Sequence, residues 1–180
     1  RLGVSAVIIE DKVGLKKNSL FKNQSGAKQD TIKKFCEKIK KANQSKISDN
    51  FMIVARIESL ILKAGMRDAL KRADEYSKAG ADMIVIHSKE KTADEIIEFA
   101  KKFKKSKHFK PLISIPSTYS GIKEKDLIRN GFKLVIYANH LLRSSYPAMV
   151  KTAKEILLNQ RSKESEKNIS SITEIINLIK

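Results

Sequence analysis

Charged and polar residues follow directly on short apolar runs at several places in this sequence. Glu10-Asp11-Lys12 follows Val4-Ser5-Ala6-Val7-Ile8-Ile9, and five residues after Lys12 the chain reaches Asn18-Ser19. Arg56 and Glu58 follow Phe51-Met52-Ile53-Val54-Ala55, and His87-Ser88-Lys89 follows Met83-Ile84-Val85-Ile86. Each residue type brings a definite chemistry. Arg56 offers a planar fork suited to phosphate or carboxylate oxygens. His87 can donate a hydrogen bond and, at its ordinary pKa, carries charge near neutral pH. Asn18 offers an uncharged amide donor, which can hold a group without capturing it. Glu10 offers a carboxylate at the end of a buried run.

Plainer readings stand beside these. A strand-end Glu such as Glu10 often does no more than pair with a neighbouring cation. Arg56 and Glu58 would suit a structural ion pair, and His87 a buried, satisfied histidine. Asp11 and Lys12 would each pair with neighbours. Asn139-His140 reads as a helix start, Asn being a good N-cap, and both stay outside the catalytic set. Cys36 lies on an apolar helical face and reads as core.

The apolar runs are short, rich in β-branched residues and nearly continuous, as strands are when a parallel sheet buries both their faces. Glu10, Asp11 and Lys12 cannot stay in such a core, so they are expected to emerge at its mouth, at the carboxyl ends of the strands where α/β proteins bind ligands. Residues 13–28 form a long βα connection, of the kind that often serves as an active-site lid.

Four further units repeat the pattern. Asp30 to Ala42 reads as a helix with Ile32, Phe35, Cys36 and Ile39 on one face. A second strand, 51–55, leads to a helix over 66–79 with Gly80 as its C-terminal stop. A third, 83–86, leads to a helix over 93–104. A fourth, 112–115, leads to a short helix over 123–130, closed by Gly131. The fifth, 134–138, precedes a long helix over 141–159, in which Pro147 is expected near the start or at a break. A charged linker, 160–168, precedes a last helix, 172–180, with Ser171-x-x-Glu174 as its capping box.

Strands alternating with helices predict a parallel sheet, and polar residues after every strand favour a barrel with one mouth. The expected fold is therefore α/β, a (β/α)₈ TIM-like barrel represented by its last five βα units plus C-terminal helices. Residues 1–160 would form that part of the barrel and 161–180 the linker and last helix. A closed barrel needs eight units, so further strands are expected upstream of Arg1.

Composition narrows the classes. At 180 residues, 41% of them hydrophobic, the chain is one domain by size. No apolar stretch approaches a membrane span, so no membrane partner is expected. A signal peptide is not expected either, and the single Cys36 suits the cytoplasm. The net charge of +17 would attract polyanions, but the lysines are spread among acidic residues and only 6% of residues are aromatic. Such a surface reads as solvated, and nucleic acid is not an expected partner.

Glu10-Asp11-Lys12, five residues and Asn18-Ser19 resemble the EDK-x5-NS signature of the phosphoenolpyruvate phosphomutase family, within the isocitrate lyase and phosphoenolpyruvate mutase superfamily. Ile53-Val54-Ala55-Arg56-Ile57-Glu58, Ala79-Gly80-Ala81-Asp82, His87-Ser88-Lys89 and Ala138-Asn139-His140 with Leu142-Arg143 fall in register with it. The resemblance covers the last five-eighths of the family barrel; the first three strands, with the principal metal aspartates, have no counterpart here.

The resemblance implies Mg²⁺-dependent intramolecular phosphoryl transfer between phosphoenolpyruvate and phosphonopyruvate. It implies Lys16, Asn18 and Ser19 as catalytic residues on a mobile loop, Arg56, His87 and Asn18 as substrate-binding residues, and Glu10 as a metal contact through water. It also implies a homo-oligomer that exchanges C-terminal helices. Five of eight strands would expose two open sheet edges and an apolar barrel interior, so these 180 residues by themselves are expected to have no mutase activity. The alternatives are a phosphonopyruvate hydrolase on the same barrel and, from another class, a basic polyanion-binding module. The lyase branch carries a reactive Cys in a Lys-Cys-Gly-His type motif. Gly14-Leu15-Lys16-Lys17-Asn18 has neither Cys nor His, which argues against isocitrate or methylisocitrate cleavage.

Overall fold

The computed structural model describes residues 3–14, 18–19 and 24–179. The chain divides into two compact units, 1–137 and 138–180, a boundary earlier than the charged linker.

The first unit is built on five parallel strands. They are β1 (Ala6–Glu10), β4 (Met52–Ile57), β5 (Met83–Ile86), β6 (Leu112–Ser114) and β7 (Phe132–Val135), in the order β1-β4-β5-β6-β7. Helices α1 (Ile32–Gln44), α2 (Gly65–Lys78), α3 (Asp94–Phe103) and α4 (Glu124–Arg129) connect successive strands. The long first connection, expected as loop, also contains a small antiparallel pair, β2 (Lys12–Val13) with β3 (Lys28–Gln29).

Alternation along the strands sorts side chains onto two faces. Ile53, Ala55, Ile57, Ile84, Ile86, Leu112 and Phe132 join the apolar faces of the helices in the main core. Phe35 of α1 meets Tyr76 of α2 in that core, with ring centroids 4.6 Å apart. Val54, Val85, Ile113 and Ile115, with Ala6, Met83 and Ile136 against them, form a smaller cluster on the opposite face. Arg56 continues the row of Val54, and Glu10 the row of Ala6. The alternation thus delivers Glu10 and Arg56 to the end of this second face, and their register sets them opposite each other across β1 and β4.

Local signals hold with small shifts. Thr31 caps α1 by accepting from the Lys34 amide at 3.3 Å. Gly80 follows α2 at φ +104, and a Cβ there would lie 2.9 Å from the Asn43 amide nitrogen, so backbone and side chain approach as only glycine allows.

Three expectations are corrected. β1 is not buried on both faces: Val7 and Ile8 are partly exposed, because β1 has a single hydrogen-bonded neighbour, β4, among the described residues. The fifth strand lies two to three residues earlier than expected, at Phe132–Val135, since Phe132 packs in the main core while Tyr137 is exposed. Pro147 sits inside a helix rather than at its start or a break; α5 (His140–Asn159) runs through it at the cost of one backbone hydrogen bond.

The second unit holds α5, a 3₁₀ turn (Glu166–Asn168) and α6 (Ile172–Asn177). Lys151 of α5 donates to the Asn168 side chain at 3.1 Å. Ser171 caps α6 by accepting from the Glu174 amide at 3.2 Å. Among the described residues no helix is long and apolar enough to cross a membrane.

Candidate active site

The ends of β1, β4 and β5 bring four charged side chains and one imidazole into one region. Arg56 is central. Its Nε donates to Glu58 Oε1 at 2.7 Å and lies 3.6 Å from Glu10 Oε2, while its Nη2 donates to Ser19 Oγ at 2.8 Å. Ser19 in turn donates to Glu58 Oε2 at 2.6 Å. Lys12 Nζ reaches both Ser19 Oγ and Glu58 Oε2 at 3.3 Å.

The spacing in Glu10-Asp11-Lys12-x5-Asn18-Ser19 has a physical sense here. Lys12, just before the five-residue interval, and Ser19, which follows Asn18 just beyond it, meet on one carboxylate. Glu58 is fully buried, which by itself would raise its pKa. Arg56, the Ser19 hydroxyl and Lys12 outweigh that burial, so the carboxyl lies below its ordinary value and stays ionised.

Beneath this cluster lies a second one. The expectation that all of Glu10, Asp11 and Lys12 emerge at the mouth is corrected, since Asp11 is wholly buried. A buried carboxylate is tolerated when its lone pairs are satisfied. Asp11 Oδ1 accepts from the Glu58 amide at 3.0 Å, and Oδ2 accepts from the Tyr76 hydroxyl at 2.7 Å, Gln29 Nε2 at 2.8 Å and Arg72 Nη1 at 3.3 Å. Burial raises the Asp11 pKa above its ordinary value, while Tyr76, the Glu58 amide, Gln29 and Arg72 oppose it. Lys12 is nearly buried as well, its side chain 4% exposed.

His87 is also corrected. Burial, reinforced by Arg56, pushes its pKa down to about 4, so it is neutral at pH 7 rather than charged. It is not a satisfied core histidine: Nδ1 is buried and makes no hydrogen bond among the described residues.

The other expected residues fall as follows. Asn18 is exposed, and its carbonyl accepts from Gln24 Nε2 at 2.9 Å. Lys16 lies outside the described residues. Glu10 is partly buried, and no group of three His, Cys, Asp or Glu side chains among the described residues could hold a metal ion. The described residues therefore do not make up a complete divalent-cation site; Glu10 could contribute one contact. Asn139 stands at the start of α5, as read, yet its side chain makes no capping bond. Cys36 is half-buried, and its thiol donates to the Glu75 carbonyl at 3.6 Å.

Sequence reasoning did not name Arg72 or Gln29, nor Tyr76 and Asp11 as partners. A signal existed for two of them, since Arg72 and Tyr76 are four apart on a helix and share a face.

Fold and site together define an α/β protein of the TIM-barrel type, represented by part of its barrel, with a cluster of charged side chains at the carboxyl ends of its strands. A family model described as phosphoenolpyruvate phosphomutase matches residues 1–157, and the chain belongs to that family. Phosphoenolpyruvate phosphomutase of Tetrahymena pyriformis is 33% identical over 175 residues, 97% of this chain and 57% of the relative. The crystal structure of phosphoenolpyruvate phosphomutase from Streptomyces platensis subsp. rosaceus is similar at TM-score 0.90 and 33% identity, covering 98% of this chain and 60% of that one. A crystal structure of phosphonopyruvate hydrolase in complex with oxalate and Mg++ is similar at TM-score 0.85 and 32% identity, covering 98% and 59%. The chain thus spans somewhat over half the length of the relatives it matches.

Proposed function

We propose that the protein containing this chain is a phosphoenolpyruvate phosphomutase, interconverting phosphoenolpyruvate and phosphonopyruvate by intramolecular phosphoryl transfer. The observation that carries this reading is the convergence of Arg56, His87, Ser19 and Glu10 at the ends of three adjacent parallel strands, with Asn18 exposed next to Ser19. Phosphoryl transfer through a loose transition state needs positioning and charge stabilisation more than covalent chemistry, and these residues offer donors without a strong nucleophile.

In this reading Arg56 binds an anionic oxygen of substrate. Neutral His87 donates a hydrogen bond without adding charge. Asn18 holds the moving phosphoryl group, and Lys16 supplies positive charge beside it. Ser19 anchors this stretch to Arg56 and Glu58. A divalent cation, when bound, would hold the pyruvate part; Glu10 would contribute through water, with other ligands from beyond the described residues. The 180 residues alone are proposed to be inactive, because the described residues offer only Glu10 toward the cation and leave β1 with an open edge. The single Cys36 suits a cytoplasmic protein.

A phosphonopyruvate hydrolase is the second reading, favoured by a relative of nearly equal identity. Phosphorus NMR of the intact protein with phosphonopyruvate and Mg²⁺ separates them. The mutase gives phosphoenolpyruvate with little free phosphate. Pyruvate and phosphate as main products would replace the mutase reading with the hydrolase.

A further inference from the structure

Glu58 is the shared acceptor of the strand-end cluster. Its buried carboxylate divides its two oxygens between Arg56 Nε on one side and Ser19 Oγ with Lys12 Nζ on the other, at 2.7, 2.6 and 3.3 Å. Its own backbone is held at both polar atoms: the amide by Asp11 Oδ1 at 3.0 Å, and the carbonyl by the Leu62 amide at 2.9 Å. The main chain that carries this carboxylate is thus held in place, and its two oxygens are held in turn by Arg56, Ser19 and Lys12.

Arg56 therefore has two of its three nitrogens committed, Nε to Glu58 and Nη2 to Ser19, while Nη1 makes no hydrogen bond among the described residues. Its orientation is set before any ligand arrives. The groups that bond to one another carry opposing charges, and Lys89 stands near enough to interact with Lys12 and Glu58. Lys12 and Arg56 bring two positive charges, Glu58 and Glu10 two negative ones. An Arg and a Lys left alone at this depth would grip an anion strongly and unselectively.

We propose that Glu58 is a positioning residue that presets Arg56, pins Ser19 and Lys12 to the end of β4, and offsets the positive charge around it so that an anionic group is oriented without being over-bound. Binding energy spent on the bound state would not raise turnover. Glu58 acts through Arg56 and Ser19. Only the turnover arm of its test rests on the proposed function.

The test compares wild type with Glu58→Gln in the intact protein. Turnover of phosphonopyruvate is followed by phosphorus NMR, counting phosphoenolpyruvate and phosphate together so that either reaction registers. Binding of inorganic phosphate without added metal is measured by calorimetry. In Glu58→Gln, kcat should fall at least tenfold while KM falls or holds, and phosphate should bind at least threefold more tightly. A merely structural role predicts loss of both kcat and affinity; that result, or unchanged values, overturns the proposal. If Glu58→Gln does not fold, Lys12→Met takes its place. It removes one positive charge from the cluster, so phosphate should bind at least threefold more weakly, and unchanged affinity overturns the proposal. A wild type that yields neither product refutes the proposed function, while the phosphate arm still decides the role of Glu58.

Discussion

The Tyr76 hydroxyl donates to Asp11 Oδ2 at 2.7 Å, joining α2 to the residue that follows β1. Arg72 Nη1 donates to the same Tyr76 oxygen at 2.7 Å and to the Asp30 carbonyl at 2.8 Å. One buried cation thus ties the end of β1, the start of α1 and the inner face of α2. These ties reach Glu58 through Asp11, which accepts from the Glu58 amide at 3.0 Å.

A ranking of stabilities follows. Tyr76→Phe removes one hydrogen bond to a buried carboxylate and should cost about 1.5–3 kcal/mol. Asp11→Ala strips Arg72 of a buried partner and should cost more, about 3–5 kcal/mol. Urea unfolding of the intact protein checks the order. Equal or negligible costs would mean that the network contributes little beyond packing.

His87 gives a prediction in pH. With a folded pKa of about 4 against an unfolded value of about 6.5, the folded state binds fewer protons between these limits. Its contribution to stability is complete above pH ~6.5 and is lost as pH falls toward ~4, by about 3 kcal/mol in all. Proton NMR of the imidazole, assigned by loss of its signal in His87→Gln, should show no titration near pH 6.5. A midpoint there would mean that the ring is solvated or paired with a carboxylate.

Much of this was legible in the sequence, for identifiable reasons. Strands β4 and β5 read correctly because both their faces are buried, so Ile53-Val54-Ala55 and Ile84-Val85-Ile86 needed no alternation to interpret. The strand-end positions of Glu10, Arg56 and His87 followed from charge appearing where apolar runs stop. The buried state of Asp11 did not, because it depends on four donors from distant parts of the chain. The neutrality of His87 was hidden for a similar reason: its cause is burial beside Arg56, one strand away. Pro147 shows the reverse error, a local rule overridden within a twenty-residue helix.

Arg56 tests whether a fork is needed rather than a charge. Arg56→Lys keeps the cation but loses two donors, one of which holds Ser19. A charge-assisted hydrogen bond contributes about 1.5–3 kcal/mol, so kcat/KM toward phosphonopyruvate should fall at least tenfold in the intact protein. Steady-state kinetics that match wild type would reduce Arg56 to a structural partner of Glu58.

The second unit leads to a prediction about assembly. Ile172, Ile175, Ile176 and Ile179 in and beside α6 are exposed, two of them by 80% or more. We expect these side chains to pack on another copy of the chain in the intact protein, giving a homo-oligomer. Light scattering at micromolar concentration should give a multiple of the monomer mass, reduced by Ile175→Asp with Ile176→Asp. A monomer mass for wild type would remove the expectation.

Asn18 is the proposed donor to the moving phosphoryl group. Its neighbour Ser19 is buried and bonded to Arg56 and Glu58, so Asn18 is carried on a pinned point of the chain while itself exposed. A neutral amide can donate to the moving group but is a poor nucleophile, which suits a group that must leave carbon and arrive at oxygen. Removing one preorganised donor of this kind typically costs about 10²–10³ in kcat. Asn18→Ala should therefore lose at least a hundredfold in phosphoenolpyruvate formation. Ser19, Arg56 and Glu58 are untouched by the change, so the thermal midpoint should stay within a degree or two of wild type. Mg²⁺ affinity should hold too, because Glu10 keeps its place. Phosphorus NMR follows both products, and calorimetry with Mg²⁺ follows the metal. Full activity in Asn18→Ala would place the donor elsewhere in the site, whereas a parallel loss of Mg²⁺ binding would mean that the substitution disturbs the strand end rather than the transfer.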